Sequence, residues 1–233
     1  MLTAPTEATL EGVVWSGTEY AVVGDSIFLT SPDGVAWTKH SLTVNNLFYG
    51  VAWSGSVFVI VGFTGNILTS PDGTSWTQRV SGTQDVLQGV TWSGSQFVAV
   101  GRGGAILTSP DGVTWTSRGN GGGLYGVTWS GTQFVAVGYN EVPCCNDVIL
   151  TSPDGVLWTS QTSTGALPMA VVFAGGQYLA VGGSGVNGSM QSSSDGLNWK
   201  AEASGSEYAL FGVAWSGTSF VAVGDHGSIL TSP

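Results

Sequence analysis

The stretch Leu87–Trp115, LQGVTWSGSQFVAVGRGGAILTSPDGVTW, recurs along the whole chain. Its early segment, GVxWSG, occurs five times, and a sixth, altered copy reads AVVFAG. The copies begin at Gly12, Gly50, Gly89, Gly126, Ala170 and Gly212. Equivalent aromatic residues from Trp15 to Trp215 are 38, 39, 37, 44 and 42 residues apart. A period near 40 with strand-like content is typical of β-propellers and other repeat arrays.

Each repeat contains four candidate strands, labelled A to D: the GVxW segment, FVAVG, ILTS and a segment that begins at the second tryptophan. Strands B and C do not alternate polar with apolar residues, as Phe97–Val100 shows, which is typical of strands covered on both faces. Stacked propeller blades provide such cover, whereas Gly and Pro interrupt every window long enough for a helix. The sequence therefore predicts an all-β, six-bladed β-propeller of four-stranded antiparallel blades, forming a single domain over residues 1–233.

The two ends of the chain complement each other. The sixth repeat stops at Pro233, after strand C. Aligning the first repeat with the fourth places Met1 opposite Trp115, so Met1–Pro5 can supply the missing strand D. We therefore expect residues 1–11 to complete the sixth blade, which would remove exposed sheet edges.

The composition is apolar and acidic. The chain has 233 residues, of which 42% are hydrophobic and 9% charged, and its formal net charge is −10. Nucleic acid and anionic membranes are poor partners for such a surface, because phosphate binding needs clustered cations. No apolar run is long enough to span a bilayer. No signal peptide is visible either, so the protein stays inside the cell or the sequence is the mature part alone.

The SPDG segment between strands C and D is a turn. Proline presets φ, aspartate accepts hydrogen bonds from amides just ahead of it, and glycine tolerates positive φ. The aspartates of these turns are Asp33, Asp72, Asp111, Asp154 and Asp195. We expect them to be structural. The alternative, that five repeated carboxylates are metal ligands, is not needed to explain them.

These turns carry a family resemblance. Ser-x-Asp-x-Gly-x-x-Trp is the Asp-box of the sialidase-like, or BNR-repeat, propellers, and this chain resembles a shortened form: Ser-Pro-Asp-Gly-x-x-Trp in four copies and Ser-Ser-Asp-Gly-Leu-Asn-Trp in the fifth. The repeat style is also similar to that of the photosystem II assembly propeller and of many bacterial secreted proteins. The resemblance implies a propeller whose Asp-boxes lie away from the active site, and it favours an extracellular or cell-surface location.

Enzymes of that family bind the substrate carboxylate with three arginines and use a tyrosine–glutamate nucleophile with an acidic partner. Here only Arg102 lies in a B–C loop. The other cations all follow the second tryptophan of a repeat and are Lys39, Arg79, Arg118 and Lys200. No triad can be assembled from them, so we do not expect sialidase activity. The hypothesis that we favour below is non-catalytic and needs no cofactor.

Positions that differ between repeats are free to form a site. The residues just before strand A are Glu11, Tyr49, Gln88, Tyr125, Met169 and Phe211. The residues just after strand B are Asp25, Phe63, Arg102, Tyr139, Gly183 and Asp225. In a propeller the D–A and B–C connections emerge on one face, so both sets should ring the mouth of the central channel. Aromatics with a few polar groups suit a sugar or a peptide side chain; alternatively, they only plug the channel.

The longest B–C loop, Tyr139–Asp147, contains the adjacent Cys144 and Cys145. They could form a vicinal disulfide or remain free thiols, and a metal would find only Glu141 and Asp147 nearby. A second polar pair, Asp225 and His226, lies in another B–C loop. A hydrolase could use Glu141 or Asp225 with His226 as acid and base, although a loop histidine can equally be merely solvated.

Three hypotheses follow. The first is a non-catalytic module that binds a glycan or a protein through the B–C and D–A face. The second is a glycoside hydrolase or lyase on that face, with two carboxylates drawn from Glu11, Glu141 and Asp225. The third is an assembly scaffold without a small ligand. We expect a monomer that binds neither metal nor nucleic acid.

Overall fold

The computed structural model describes residues 6–140, 146–184 and 187–232. The chain is an all-β, six-bladed β-propeller built from four-stranded antiparallel blades, which confirms the fold predicted from the repeats. The strands of blades 1 to 3 are β1 Leu10–Trp15, β2 Tyr20–Gly24, β3 Ile27–Ser31, β4 Thr38–His40, β5 Phe48–Trp53, β6 Phe58–Gly62, β7 Ile67–Ser70, β8 Thr77–Arg79, β9 Leu87–Trp92, β10 Phe97–Gly101, β11 Ala105–Ser109 and β12 Thr116–Asn120.

The strands of blades 4 to 6 are β13 Leu124–Trp129, β14 Phe134–Asn140, β15 Asn146–Ser152, β16 Thr159–Ser160, β17 Pro168–Ala174, β18 Gln177–Ser184, β19 Asn187–Ser193, β20 Lys200–Glu202, β21 Leu210–Trp215, β22 Phe220–Gly224 and β23 Ile229–Thr231. Within each of the first five blades the strands pair in chain order, A to D, and the described strands of the sixth pair in the order A to C. The chain divides into two compact units: unit 1 is Met1–Gly101 with Ala105–Ser117, and unit 2 is Arg102–Gly104 with Arg118–Pro233. Blades 1 to 3 belong to unit 1, apart from the end of β12, and blades 4 to 6 to unit 2.

The sixth blade has three strands within the described residues, β21, β22 and β23. The predicted fourth strand, Met1–Pro5, lies outside those residues and stays a prediction. Part of the larger segment 1–11 is placed elsewhere, because Leu10 and Glu11 belong to β1 of the first blade. Leu10 pairs there with Gly24.

The WSG signature forms the A–B hairpin. In blade 3 the Ser93 amide donates to the carbonyl of Gln96 at 3.0 Å, and Gly94 takes a φ of +94°. A glycine with positive φ at the first central position is what a type II′ hairpin needs. The altered fifth copy has two glycines with positive φ, Gly175 and Gly176, as in a type I′ turn. In every blade an aromatic residue at or next to the end of strand A packs on one at or next to the start of strand B, with ring centroids 4.2 to 4.6 Å apart.

The turn aspartates accept hydrogen bonds within their own turns. In blade 3, Oδ1 of Asp111 accepts the amides of Val113 at 2.8 Å and Thr114 at 3.0 Å. It also accepts the Ser109 hydroxyl at 3.1 Å, while Nε1 of Trp115 donates to the carbonyl of Gly112 at 2.9 Å. The same amide pattern surrounds the equivalent carboxylates of the other four turns, Asp33, Asp72, Asp154 and Asp195. Each of these carboxylates therefore stabilises the backbone of its own turn.

Because of these hydrogen bonds, the stability of the folded state depends on pH. The amide of Thr114, followed by that of Val113, lowers the pKa of Asp111 from its ordinary value. A carboxyl whose pKa is lower in the folded state stabilises the fold above its unfolded pKa, about 4, and that contribution is lost as the pH falls through the folded pKa. The Asp111→Asn variant keeps the acceptor oxygen but cannot ionise. We therefore expect it to lose less stability than the wild type between pH 7 and pH 3 in urea unfolding.

The matched control is Glu7→Gln, which removes an exposed carboxylate outside the turns. It should keep the acid dependence of the wild type. Identical pH slopes for Asp111→Asn and the wild type would contradict the assigned role of the turn.

Each blade uses its two faces differently. In unit 1, Phe58, Ile60 and Leu68 of blade 2 pack against Ala21 and Val23 of blade 1, in one buried apolar cluster. We call the face with Phe58 the leading face of a blade and the face with Ala21 the trailing face. In unit 2, the leading face of blade 5 packs in the same way on the trailing face of blade 4, and that of blade 6 on blade 5. The core therefore consists of repeated interfaces between blades.

Candidate functional site

Every strand A carries a β-bulge near its start. In blade 3, Leu87 pairs with Gly101 and Gly89 with Val100, so Gln88 is the extra residue of the bulge. The bulged residues of the six blades are Glu11, Tyr49, Gln88, Tyr125, Met169 and Phe211. These are the six positions that differ before strand A. A bulge redirects a side chain and is common beside functional sites.

The glycine that pairs with the residue just before the bulge is required by the bulge. A Cβ on Gly138 would overlap the carbonyl oxygen of Gly123 and lie 2.8 Å from Cα of Leu124. The backbones therefore cross too closely for any side chain. The residue that follows this glycine is hydrogen-bonded to the backbone just before strand A. The amide of Asp25 donates to the carbonyl of Thr9 at 3.0 Å, and the amide of Asp225 donates to the carbonyl of Ala209 at 2.9 Å.

The two predicted sets therefore meet at one end of each sheet, which we call the bulged end. The A–B hairpins and the aspartate turns lie at the other end of each sheet. Bulged residues of neighbouring blades are also close within a unit. A Cβ on Gly12 would lie 2.7 Å from the carbonyl oxygen of Tyr49, and one on Gly126 would lie 3.1 Å from that of Met169.

In unit 2 the bulged end carries an aromatic stack. The rings of Tyr125 and Tyr139 lie 4.8 Å apart with an interplanar angle of 12°. The guanidinium carbon of Arg102 lies 5.3 Å from the centre of the Tyr125 ring. We call these three residues the Arg–Tyr–Tyr stack. Its parts are a cation–π contact and a stacked ring pair, which together present a flat surface with one positive charge.

A second cluster lies at the bulged end of blade 6. The ring of His226 stacks on Tyr208, with centroids 4.2 Å apart and an interplanar angle of 18°. Nδ1 of His226 lies 3.4 Å from Oδ1 of Asp225, and both side chains are exposed. Sequence comparison between repeats missed Tyr208, because it compared only the residue next to strand A.

In unit 1 the predicted residues are placed less compactly. Phe63 is exposed, and partial burial raises the pKa of Glu11. The hydroxyl of Ser26 donates to Asp25 at 3.2 Å. Tyr49 and Gln88 are partly buried. Beside the B–C loop of blade 2 is a groove of about 490 Å³ that the sequence did not predict. Its lining includes Thr64, Asn66, Gln78, Arg79, Thr83 and Gln84.

The long B–C loop is only partly described. Strands β14 and β15 extend into it, so that Tyr139 pairs with Asp147. Asp147 accepts the amides of Ala166 at 2.7 Å and Leu167 at 2.8 Å, and also the hydroxyl of Ser163. It therefore fixes the connection to blade 5, which the sequence had not indicated. Glu141, Cys144 and Cys145 lie outside the described residues, so the disulfide and the acid role of Glu141 stay predictions.

Two of the other cations, Arg79 and Lys200, contact neighbouring side chains of their own blades. Nε of Arg79 donates to the hydroxyl of Thr69 at 2.9 Å, and Lys200 pairs with Glu202 at 3.2 Å on the surface. Among the described residues, no group of three or more His, Cys, Asp or Glu side chains could hold a metal ion. The same residues contain no helix that is long and apolar enough to cross a membrane.

Comparison with known proteins shows the fold. No protein-family model matches the sequence, and no curated protein is similar to it. The structure is similar to that of YCF48 bound to D1 peptide, with a TM-score of 0.75 and 18% identity over 99% of this chain and 79% of the other. It also resembles a catalytically inactive virginiamycin B lyase from Staphylococcus aureus with quinupristin, with a TM-score of 0.81 and 11% identity over 98% and 82% of the two chains.

A third similar structure is a nidogen/laminin complex, with a TM-score of 0.70 and 13% identity over 91% of this chain and 88% of the other. At such identities the likeness concerns architecture alone. It places the chain among β-propellers, a class that includes proteins with peptide or protein partners as well as a lyase.

Proposed function

We propose that this chain is a non-catalytic binding module and that its partner is a peptide or a protein held at the bulged end. The observation that carries the proposal is the Arg–Tyr–Tyr stack of unit 2. The residue types at these positions vary between the repeats, so the shared fold does not require an arginine or a tyrosine there. Exposed Phe211 at the bulged end of blade 6 adds apolar surface in the same unit.

The chemistry of the stack favours a peptide or protein partner. The guanidinium of Arg102 lies over the ring of Tyr125 in a cation–π contact. Tyrosine faces contribute large contact areas at a small entropic cost, which is why tyrosine and arginine recur as anchors of protein interfaces. A peptide segment with an aromatic or apolar side chain is therefore the expected ligand.

The comparisons support this proposal at the level of the fold. The same architecture occurs in YCF48 bound to D1 peptide and in the nidogen/laminin complex. No similar structure described above is a glycan complex, so a glycan partner rests only on the general affinity of aromatic faces for sugars. An assembly scaffold would bind at the same end of the sheets. Its partner would be a folded protein and not a short peptide.

The test is a selection from a random peptide library followed by affinity measurements on variants of the full chain. Arg102→Ala and Tyr125→Ala should each weaken the selected peptides about tenfold or more, since loss of an interface anchor costs about 2 kcal/mol and about 1.4 kcal/mol corresponds to a factor of ten. The control is Leu157→Ala, an exposed apolar residue in an aspartate turn of the same unit. Equal losses for all three variants would count against the proposal.

A lyase or hydrolase is the second candidate, because Asp225 and His226 form a close exposed pair and because one similar structure is a lyase. His226→Gln would then abolish turnover of a glycan or cyclic peptide while leaving its binding intact. We further propose, from the Asp-box resemblance, a relation to the sialidase-like propellers and an extracellular or cell-surface location. Sialidase activity itself is not proposed.

A further inference from the structure

The groove of about 490 Å³ beside the B–C loop of blade 2 is a feature of unit 1 alone. Its lining residues all lie between Thr64 and Gln84. They belong to the B–C loop of blade 2, to strand D of that blade and to the connection that leads to blade 3. We call this cavity the blade 2 groove. Its walls come from one blade and one connection, so its shape does not depend on unit 2.

The walls of the blade 2 groove are held by contacts within the protein. Nε2 of Gln78 donates to Oδ1 of Asn66 at 2.9 Å, and Nδ2 of Asn66 donates to the carbonyl of Phe63 at 3.0 Å. A Cβ on Gly65 would overlap the carbonyl oxygen of Thr83, so the B–C loop and the connection to blade 3 are in direct contact. The groove is therefore formed before a ligand binds, which lowers the entropic cost of binding.

Arg79 brings a positive charge to this groove without a matching carboxylate. Its Nε donates to the hydroxyl of Thr69 at 2.9 Å. Among the described residues, its two Nη groups have no hydrogen-bond or ion-pair partner. The side chain is half-buried, and an arginine in a protein does not lose its charge. A charge that has lost part of its hydration and has no partner favours the binding of an anion.

The other repeats show that the fold needs only part of this side chain. The residue three positions after the second tryptophan of a repeat contacts a hydroxyl of strand C. In blade 4, Nε2 of Gln161 donates to the hydroxyl of Thr151 at 2.9 Å. In blade 1, Nε2 of His40 lies 2.8 Å from the hydroxyl of Thr30. One nitrogen is therefore enough for this contact, and the Nη groups of Arg79 are not needed by the sheet.

We propose that the blade 2 groove binds a carboxylate of a peptide, which accepts paired hydrogen bonds from the Nη groups of Arg79. The side-chain amides of Gln78 and Gln84 line the same groove and can bond the neighbouring peptide groups. A phosphate is a weaker match, because phosphate binding needs clustered cations and this chain has a net charge of −10. The site lies in unit 1 and depends neither on the Arg–Tyr–Tyr stack nor on the proposed function.

Nuclear magnetic resonance titration of the full chain with three short peptides tests the ligand class. Acetyl-Ala-Glu-Ala-amide carries a side-chain carboxylate, and acetyl-Ala-Gln-Ala with a free end carries a terminal one. Acetyl-Ala-Gln-Ala-amide carries none. We expect saturable shifts of the amides of residues 64–66 and 78–84 with at least one of the first two, which identifies the source of the carboxylate, and none with the third. Equal shifts with all three peptides, no shifts with any, or tighter binding of inorganic phosphate would overturn the proposal.

Arg79→Gln isolates the guanidinium, because Gln161 shows that glutamine can keep the hydrogen bond to strand C. We expect this variant to bind the carboxylate peptide at least tenfold more weakly and to keep the circular dichroism spectrum of the wild type. The control is Lys39→Gln, which removes an exposed cation from strand D of blade 1 in the same unit. Equal losses for the two variants would mean that net charge alone attracts the peptide, and would overturn the site.

Arg79→Lys provides a second test if Arg79→Gln does not fold. Lysine keeps the charge but cannot form two parallel hydrogen bonds to one carboxylate. We therefore expect this variant to bind more weakly than the wild type as well. Binding equal to that of the wild type would contradict the paired hydrogen bonds of Arg79.

Discussion

Replacing Gly138 by alanine is expected to destabilise unit 2 by roughly 3 kcal/mol or more, at or beyond the upper end for overpacking a protein interior. The added methyl group would overlap the carbonyl oxygen of Gly123 and approach Cα of Leu124 to 2.8 Å. Both obstacles are backbone atoms, so a side-chain rotation cannot relieve them. The bulge in β13 would have to move, and the ladder between β13 and β14 would break with it. Urea unfolding followed by tryptophan fluorescence measures the loss.

The matched control is Gly212→Ala, in the same unit and beside the bulge of blade 6. Its added Cβ would meet only the side chain of Val223, at 3.2 Å. The fifth repeat already has alanine, Ala170, at this position. We expect a change of less than about 1 kcal/mol for this control. Similar losses for the two variants would show that the bulge does not impose the glycine at position 138.

Phe97→Ala is expected to cost about 3 to 5 kcal/mol, as for other large core aromatics. Phe97 is fully buried, and its ring lies 4.4 Å from that of Trp92 and 6.3 Å from that of Trp115. The residue thus connects strand A, strand B and the aspartate turn of blade 3. Its loss leaves a cavity between two tryptophans, of which Trp115 is held by a hydrogen bond to the carbonyl of Gly112, so little collapse is expected.

The same substitution in blade 1 provides the comparison. Tyr20 occupies the position of Phe97 and contacts Trp15 at 4.5 Å, but it is partly exposed. Tyr20→Ala should therefore cost clearly less, because removing a ring that is already partly exposed loses less buried apolar surface. Equal costs for the two variants would contradict the expectation that the burial of this aromatic position determines its contribution to stability.

Local signals explain why the architecture could be predicted from the sequence. Gly94 and the SPDG turn at Asp111 determine where strands end through backbone conformation and nearby hydrogen bonds. Such turns involve only a few consecutive residues, and their repetition at a period near 40 makes the signal unambiguous. These repeated signals made the six-bladed propeller predictable, and the structure confirms it.

The contents of the candidate site were harder to predict. Comparing repeats selected Tyr125 and Tyr139, because both stand at positions whose residue type varies between repeats. It could not predict that Arg102 lies over Tyr125, because that contact joins two different repeats. The comparison also missed Tyr208 and the hydrogen bonds of Asp147. Both involve connections between blades, and the length and path of these connections vary from blade to blade. Contacts between variable segments leave no periodic signal in one sequence.

The central claim is that the bulged end of the sheets is the binding surface. Hydrogen–deuterium exchange of the full chain, with and without a selected peptide, tests it most directly. We predict slower amide exchange at residues 102–104, 123–126 and 139–140, and unchanged exchange at the aspartate turns 152–158 and 193–199. Protection confined to those turns, with none at the Arg–Tyr–Tyr stack, would contradict the claim.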